Sequence, residues 1–399
     1  MLATHILGDC PGCGGIRKYG NVFVKRDYLL RGCLSCQYKQ RIPLPTIRKK
    51  ILYLDQFFFS AAFLAQDLRF VEAVNRIGQI SSCQLLVTPF SSVHEDETHQ
   101  WQGYGGKNKD DLMKFIKSTS RGHEFEPEYE VERTQIVRAF QAFLSGTPPT
   151  LEGAFKLQGD DAIAEEIHAW DNYIRIDVDR YLGNIEIMRD LKQQSVEGLV
   201  VDTFENWRQS TNTFEEQVSL ELRETAKGYL DAYTQYIGRI ASGDLDAVWN
   251  APLLSSVVQS IIHCLPLEKP EDQLKKIGPF FASEHFEQIP HLWLTARIYA
   301  TIKEMVKRGA YHDSDEAKDR LSGFFQDIKH VATYAPYCDA FFMDKAMAHI
   351  VADPRINLGG RFGVKVFSLN NWDQFLTWLS DIELGVSKEH RAALSAVYP

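Results

Sequence analysis

The alternation of apolar and polar positions along the chain predicts an α/β protein. Four short apolar runs favour buried strands: "KILYL" from Lys50, "CQLLVTP" from Cys83, "DAFFM" from Asp339 and "VKVFSL" from Val364. A segment with apolar residues at helical spacing follows each run, for example "SAAFLAQDLRFVEAVNRIGQ" after the first and "WDQFLTWLSDI" after the last. Strands that alternate with helices in this way predict a parallel sheet flanked by helices.

A long helical block separates the second predicted strand from the third. Three of its segments carry apolar residues at helical spacing: "EVERTQIVRAFQAFLSG", "EEIHAWDNYIRIDVDRYLGNIEIMRDL" and "FEEQVSLELRETAKGYLDAYTQYIGRIAS". Strand patterns return only after the predicted helix "DIKHVATYAP". We therefore expect a mostly α-helical insertion over residues 102–286 that interrupts one α/β domain, whose two parts are residues 47–101 and 287–399.

Four cysteines near the N-terminus have the spacing of a metal site. They form two C-x2-C pairs separated by nineteen residues: Cys10 and Cys13, then Cys33 and Cys36. Two residues between cysteines allow a tight turn to direct both thiolates at one point, and the stretch between the pairs alternates as two short strands do. Residues 1–46 thus resemble a zinc ribbon, and the alternative is a disulfide-bonded hairpin or two unrelated pairs of cysteines. Four thiolates would complete a tetrahedron, so a structural zinc is expected.

Charge and hydropathy change this picture in two ways. The net charge of −9 gives no general attraction to nucleic acid, yet the first fifty residues contain ten lysines and arginines against Asp9 and Asp27. The ribbon is therefore the candidate surface for nucleic acid or for a protein partner. No apolar stretch reaches the roughly 18 residues of a membrane span, and the N-terminus lacks a signal-peptide pattern, so we expect a cytoplasmic protein without membrane contact.

Acidic residues stand where the predicted strands end. Asp55 directly follows the first strand and Asp344 the third, and the carboxyl ends of parallel strands meet at one edge of a sheet. Glu97, in the helix after the second strand, and Asp327, at the start of the helix that leads to the third, are expected near the same edge. Carboxylates grouped without matching arginines need cations. Asp339 precedes Asp344 by a strand length of roughly 16 Å, so we expect it at the opposite edge.

Each carboxylate has a simpler alternative role. Asp55 and Asp327 could each cap a helix, and Asp344 could be a turn residue paired with Lys345. The register in "HEDET" is open among Glu95, Asp96 and Glu97, of which we favour Glu97.

Four further side chains are candidate substrate contacts near these acids. His94 lies one helical turn before Glu97, and His330 lies one turn after Asp327. Arg121 and His123 lie in "STSRGHEFE". The alternatives are buried structural histidines and a solvated loop.

The acidic motifs together resemble those of PIN-domain nucleases. The resemblance rests on "ILYLDQFFFS", "LLVTPFSSVHEDET", "DIKHVATYAPYCDAFFMD" and "VKVFSL", and it covers about residues 50–100 and 287–385. It implies a PIN-like sheet in which Asp55, Glu97, Asp327 and Asp344 bind Mg²⁺ or Mn²⁺ for phosphodiester hydrolysis, with RNA as the expected substrate. The chain departs from the family pattern in its long helical insertion and in the residues that follow the first and last aspartates, Gln56 and Lys345.

Two other functions remain open at this stage. An inactive PIN-like domain could serve a binding or regulatory protein that docks a partner through the ribbon and the helical block. Alternatively, the carboxylates could serve a phosphohydrolase of small nucleotides, with the helical block as a lid. The chain has no phosphate-binding G-x-x-x-x-G-K-[ST] loop, no G-x-S-x-G elbow and no H-E-x-x-H helix.

Overall fold

The N-terminal segment folds as a four-stranded antiparallel sheet. The computed structural model describes residues 4–157, 161–163, 166–170, 203–244, 246–249, 253–266, 270–321 and 323–399. The first sheet has the order β1-β2-β3-β4. Its strands are β1 His5–Gly8, β2 Tyr19–Val24, β3 Tyr28–Cys33 and β4 Lys39–Pro43. The two strands predicted between the cysteine pairs are β2 and β3, whereas β1 and β4 escaped prediction because their exposed sequences show no apolar alternation.

A second, parallel sheet forms the centre of the molecule, which confirms the predicted α/β class. Its order is β6-β5-β7-β8, and all three pairings are parallel. The strands are β5 Lys50–Leu54, β6 Leu86–Val87, β7 Ala340–Phe342 and β8 Lys365–Phe367. β6 is shorter than its apolar run predicted. Both faces of β5 and β7 are almost completely buried, which explains why their sequences are continuously apolar.

Helices surround this sheet and form the insertion. The helices between β5 and the middle of the insertion are α1 Gln56–Leu64, α2 Leu68–Ser82, α3 Ser92–Gln100, α4 Lys109–Thr119 and α5 Glu128–Ser145. The next described helices are α6 Phe204–Gln209, α7 Phe214–Ala241, α8 Asp246–Trp249, α9 Leu253–His263, α10 Pro270–Phe281, α11 Glu284–Glu287, α12 Pro290–Lys307 and α13 Ser314–Leu321. The last are α14 Phe324–Tyr334, α15 Lys345–Val351, α16 Leu358–Phe362, α17 Trp372–Leu384 and α18 Lys388–Val397.

Alternate residues of β5 contribute to two different cores, as the pleat of a strand requires. Ile51 and Tyr53 pack with apolar residues of α12 and α14 on one face of the sheet. Leu52 and Leu54 pack on the other face with α1, α2, α4 and α17. The domain therefore has three layers, with the sheet between two layers of helices.

The insertion has its own core between α5, α7 and the helices from α9 to α12.

Two helices predicted from the sequence differ from the structure or lie mostly outside the described residues. The single helix predicted over "SAAFLAQDLRFVEAVNRIGQ" is wrong: α1 ends at Ala65, which has a positive φ of 51°, and Asp67 caps a separate helix α2. The helix predicted over residues 165–191 lies almost entirely outside the described residues, and residues 166–170 form turns. None of the described helices has the length and apolar character needed to cross a membrane.

The ribbon is attached to the C-terminal helix, which the sequence did not predict. The Asn21 side chain is completely buried, and its amide donates to the carbonyl oxygens of Ala396 at 2.9 Å and Val397 at 3.0 Å. Arg31 donates to Asn21 and to the Ala396 carbonyl, at 3.0 and 3.1 Å. These donors satisfy carbonyls at the end of α18 that have no partner within the helix.

Replacing Asn21 with alanine is expected to destabilise the protein by about 1–3 kcal/mol, because two buried carbonyls lose a donor. Hydrogen exchange should become faster in α18 and β2, and urea unfolding should give the change in free energy. Asn370→Ala, at an exposed position, is the matched control and should change stability by less than about 0.5 kcal/mol. Equal stability of the Asn21 variant and wild type would contradict this account of the attachment.

Candidate functional site

The four N-terminal cysteines come together in an arrangement that could hold a metal ion. Their Sγ atoms all lie within 4.8 Å of one another, and none of the cysteines forms a disulfide. The Cys10–Cys36 and Cys13–Cys33 Sγ pairs are 3.7 and 3.8 Å apart. A tetrahedral zinc with Zn–S bonds of about 2.3 Å requires sulfur atoms about 3.8 Å apart. The spacing therefore fits a metal such as zinc, and the alternative of a disulfide-bonded hairpin is wrong.

Backbone amides in both turns are directed at the sulfurs. Gly12 N donates to Cys10 Sγ and Ser35 N to Cys33 Sγ, each at 3.3 Å. Tyr38 N donates to Cys36 Sγ at 3.4 Å. The Ser35 amide lowers the pKa of the Cys33 thiol to about 7, so the thiolate that a metal needs forms readily. The positive φ of 70° at Gly14 is one that glycine adopts without strain.

Asp55 and Asp344 lie side by side at the carboxyl edge of the parallel sheet. Leu54 pairs with Phe342, and Asp55 N donates to the Phe342 carbonyl at 3.0 Å, so the two strands end at the same level. Burial, and then the nearby Asp344 carboxylate, raise the pKa of Asp55 to about 7. The sequence-based expectation that these two carboxylates meet is confirmed.

Each of these aspartates also caps a helix. One carboxylate oxygen of Asp55 accepts from Gln56 N at the start of α1, and one of Asp344 accepts from Met347 N in α15, both at 2.6 Å. The alternative role of Asp55 as a helix cap is therefore confirmed. In both aspartates the hydrogen bond that caps the helix is accepted by Oδ1. Neither aspartate forms a salt bridge within the part of the chain that the structure describes, so the expected pairing of Asp344 with Lys345 is not seen there.

Glu97 approaches this edge from α3. The Gln56 amide donates to Thr98 Oγ1 at 3.0 Å, which ties α3 to the start of α1. Glu97 Oε2 lies 4.0 Å from His330 Nε2, and both Glu97 and Asp55 raise the pKa of Tyr53. Glu95, by contrast, pairs with Lys117 of α4 at 3.8 Å. The pairing of Glu95 with Lys117 leaves Asp96 and Glu97 in the register left open by "HEDET", and Glu97 remains the prediction.

Asp327 lies in the first turn of α14 and is half-buried. Gly323 precedes the helix at the capping position, so the alternative that Asp327 is the N-cap is wrong. Asp327, His330 and Tyr334 are spaced to share one face of the helix, and the last two rings contact Tyr53 at 5.4 and 5.7 Å between ring centroids. Because α14 leads into the amino end of β7, its first turn lies toward the carboxyl edge.

The carboxylates do not form a ready-made ligand cluster. Among the described residues, only the four cysteines bring three or more potential ligand atoms within 4.8 Å of one another. Asp55 and Asp344, at the ends of adjacent strands, form the core of the edge site, and neither Glu97 nor Asp327 completes a group of three ligand atoms with them within 4.8 Å. Asp339 lies at the opposite edge, as expected, where it accepts from Lys50 Nζ at 2.6 Å and Ile51 N at 2.9 Å.

His94 is part of the core and not a substrate contact. Its side chain is completely buried, and Ser91 N donates to Nδ1 at 3.0 Å. Nδ1 is therefore the acceptor, and Nε2 carries the proton that bonds to the Leu54 carbonyl at 2.9 Å. Burial lowers the pKa of His94 to about 4, so the ring is neutral. The expected phosphate contact is corrected: His94 fixes α3 to the end of β5 and so positions Glu97 and Asp55.

His330 is also buried, with 1% of its surface exposed, which corrects its expected contact with substrate. Its Nδ1 is hydrogen-bonded to the Tyr53 hydroxyl, which also bonds to Ser91 Oγ at 2.8 Å. Its Nε2 is buried without a hydrogen-bond partner among the described residues and faces Glu97 at the distance given above. Burial, and then the neighbouring His94 ring, hold the pKa of His330 well below its usual value. This side chain can position Glu97 from behind.

Arg121 and His123 are not beside the edge site. Arg121 donates to Ser82 Oγ at 3.4 Å, at the end of α2 that leads into β6 and hence on the amino side of the sheet. Only 2% of His123 is exposed. The expected substrate contacts of these two residues are therefore corrected, because one points to the wrong edge and the other is buried.

The residue that sequence reasoning missed is Tyr53. Tyr53 is completely buried in β5, and its hydroxyl joins Ser91 and His330 beneath Asp55. The only signal was a tyrosine at the fourth position of an otherwise aliphatic strand, "KILYL". A buried hydroxyl needs a partner, and this could have pointed to the polar group below the carboxylates.

Acid is expected to destabilise the protein through these histidines. The pKa of His94 is about 4 in the folded chain and about 6.5 in the unfolded chain. The unfolded chain therefore binds an extra proton between these pH values, and the free energy of unfolding decreases as the pH falls from 6.5 to 4. The loss is roughly 3 kcal/mol at about 1.4 kcal/mol per pH unit. Raised pKa values at Asp55 and Glu132 act in the opposite direction. The free energy of unfolding of His94→Gln should therefore fall less than that of wild type between pH 6.5 and 4.

His312→Gln is the matched control for that measurement, since the His312 side chain is 91% exposed. Its stability should follow the wild-type curve across the same pH range. Parallel curves for His94→Gln and wild type would show that burial does not hold His94 neutral.

Comparison with models of protein families, with curated proteins and with solved structures found no match to the chain.

Proposed function

We propose that the protein is a metal-dependent nuclease that hydrolyses phosphodiester bonds at the carboxyl edge of its parallel sheet. The observation that carries the proposal is the position of Asp55 and Asp344 on the adjacent strands β5 and β7. From β5 the chain continues to β6 on one side, whereas β7 and β8 lie on the other. Open α/β sheets bind ligands at such a topological switch point, in the crevice outside the strand ends.

The donor set suits Mg²⁺ or Mn²⁺. Helix capping uses the Oδ1 atom of each aspartate, and the Asp55 carboxylate also accepts a hydrogen bond from the backbone N–H of Asp344. A carboxylate oxygen that accepts one hydrogen bond keeps a second lone pair with which it can bind a cation. Mg²⁺ is commonly held by one or two carboxylates and completes its shell with waters and substrate phosphates, so a third close ligand is not required. Such an ion would activate water and stabilise the departing oxygen. Asp55 and Asp344 would hold it, and Glu97 and Asp327 would bind its waters or a second ion.

We propose that the ribbon holds the substrate. Several of the ten lysines and arginines in the first fifty residues are buried or paired, so only some of them can contact it. Arg31 binds the end of α18, Lys49 is 1% exposed, Lys50 pairs with Asp339, and Arg41 pairs with Asp27 at 3.3 Å. Exposed cations near the cysteines are Arg17, Lys18 and Lys39. Tyr38, 36% exposed, adds an aromatic surface on which a base can stack. This combination favours a single-stranded nucleic acid, and RNA is the substrate that we propose.

One observation favours the second candidate, a docking protein without catalytic activity. Ile16 is 76% exposed and Leu34 is 39% exposed, each close in sequence to a cysteine of the cluster. Exposed apolar side chains grouped on a small domain are typical of a protein-binding surface. In that case the ribbon would bind a protein partner and Asp55 and Asp344 would remain helix caps.

Cleavage of end-labelled single-stranded RNA and of DNA of the same sequence tests the proposal. With Mn²⁺ or Mg²⁺ added to the zinc-loaded protein, wild type should cut the RNA, and without either ion it should not. Cutting of DNA alone would change the substrate class but keep the mechanism. Failure to cut either strand, with Mn²⁺ bound to the folded protein, would leave the docking protein as the better description.

A further inference from the structure

A cavity of about 480 Å³ opens at the amino edge of the parallel sheet, opposite Asp55 and Asp344. Its walls come from the linker after the ribbon, a part of the insertion that follows α5, the residues before β7 and the turn before β8. Small-molecule sites usually measure about 300–1,000 Å³, so the cavity has the size for a ligand of moderate mass.

The walls carry a surplus of positive charge. Arg48 and Lys156 line the cavity, and Asp339 is the one carboxylate among the described residues that does so. That carboxylate is already neutralised, because one oxygen accepts from Lys50 Nζ and the other from the amide of Ile51. Arg48 and Lys156 are exposed, and neither forms a salt bridge with another described residue. Their charges therefore attract an anion into the cavity.

Other lining residues give the cavity a fixed wall and an apolar side. The Lys49 amide donates to His168 Nδ1 at 3.2 Å, which joins the linker to the insertion. Leu157 and Phe362 are half-buried and line the same cavity. A ligand here thus meets cationic groups and apolar groups at once.

We propose that this cavity binds a small phosphomonoester with an apolar or aromatic body, of the size of a mononucleotide. Arg48 can bind phosphate oxygens in a bidentate manner, and Lys156 adds a second charge. Phe362 and Leu157 contact the body of the ligand. The site goes beyond the proposed nuclease function, because its occupant lies at the amino edge and is bound, not cleaved. Bound there, the ligand connects the ribbon linker to the insertion.

Isothermal titration of the full chain with AMP tests the inference, with inorganic phosphate and adenosine as separate probes. AMP should bind to wild type, phosphate more weakly, and adenosine weakest. Arg48→Glu/Lys156→Glu should weaken AMP at least about 10-fold, because two cations become anions. The matched control, Arg223→Glu/Lys227→Glu, makes the same charge change at exposed positions of α7 and should leave the affinity unchanged. Melting temperatures check that both double variants are folded.

The Asp55→Asn/Asp344→Asn variant separates this inference from the nuclease proposal. It should bind AMP as wild type does, whether or not wild type cuts RNA. Absence of AMP binding to wild type would overturn the inference, as would equal affinities of wild type and Arg48→Glu/Lys156→Glu. Adenosine binding as tightly as AMP would also overturn it, since the phosphate would then contribute nothing. The inference would also be overturned if the protein bound single-stranded RNA but not AMP, and if that RNA binding depended on Arg48 and Lys156.

Discussion

Replacing Asp55 with asparagine should reduce metal-dependent cleavage by about 100-fold or more while the protein stays folded. A metal ion contributes several kcal/mol to such a reaction, and a loss of about 3 kcal/mol corresponds to roughly 100-fold in rate. Asparagine caps a helix about as well as aspartate, so α1 keeps its N-cap. The substitution also removes the repulsion between the buried Asp55 and Asp344 carboxylates that raises the pKa of Asp55. Folding stability at pH 8 should therefore not fall.

Asp67→Asn is the matched control for this variant. It makes the same chemical change at another helix N-cap, where the carboxylate is paired with Arg69 at 2.6 Å. Its cleavage rate should equal that of wild type. Two measurements are needed: single-turnover cleavage, and the rise in melting temperature on adding Mn²⁺. Wild type and Asp67→Asn should show the rise and Asp55→Asn should not. Full cleavage by Asp55→Asn would remove the carboxylate pair from the mechanism.

Disrupting the four-cysteine site should have the largest effect on structure. We expect the purified chain to contain one zinc ion, and Cys33→Ser to lose it. Structural zinc in small domains contributes apparent free energies of about 10–16 kcal/mol, and the ribbon core near the cysteines contains little else than Tyr19. Without the metal, β1 to β4 should exchange amide hydrogens rapidly, whereas the parallel sheet, with separate cores on its two faces, should remain protected.

The control is Cys264→Ser, at a cysteine outside the cluster. The thiol of Cys264 bonds to the Ser260 carbonyl at 3.4 Å, and a serine hydroxyl can make the same bond. This variant should keep its zinc and its pattern of hydrogen exchange. Retention of zinc by Cys33→Ser, or protection of β1 to β4 after chelation, would show that the ribbon is stable by other means.

Local patterns predicted the sheet and the strand-end aspartates well, because both depend on short-range rules. "KILYL" is apolar since both faces of β5 are covered, and Asp55 follows it because a helix starts there and needs a cap. The spacing of the cysteines predicted their cluster for the same reason. The exact strand ends were less predictable: β6 keeps only Leu86 and Val87 because its pairing with β5 covers two residues.

The candidate substrate contacts were the weakest predictions, because histidine is compatible with both a core and a site. The spacing of His94 and Glu97 is the same whether the ring faces solvent or caps α3. Only the three-dimensional packing of β5 against α3 and α14 shows that Tyr53, His94 and His330 form one buried group. Likewise, the attachment of Asn21 to residues 396 and 397 joins the two ends of the chain, and no local pattern signals such a contact.

The insertion between β6 and β7 has a consequence for how the protein is made. β5 pairs with β7 across a separation of 288 residues, as between Ile51 and Asp339. At about 5–20 residues per second, a ribosome needs roughly 15–60 s to supply β7 after β5 has been synthesised. During that time the apolar strand β5 lacks the strand with which it pairs. Long-range pairing of this kind is slow, and the unpaired strand can aggregate in the meantime. β5 therefore depends on early packing against α1, α2 and β6, or on a chaperone, until the second half of the domain arrives.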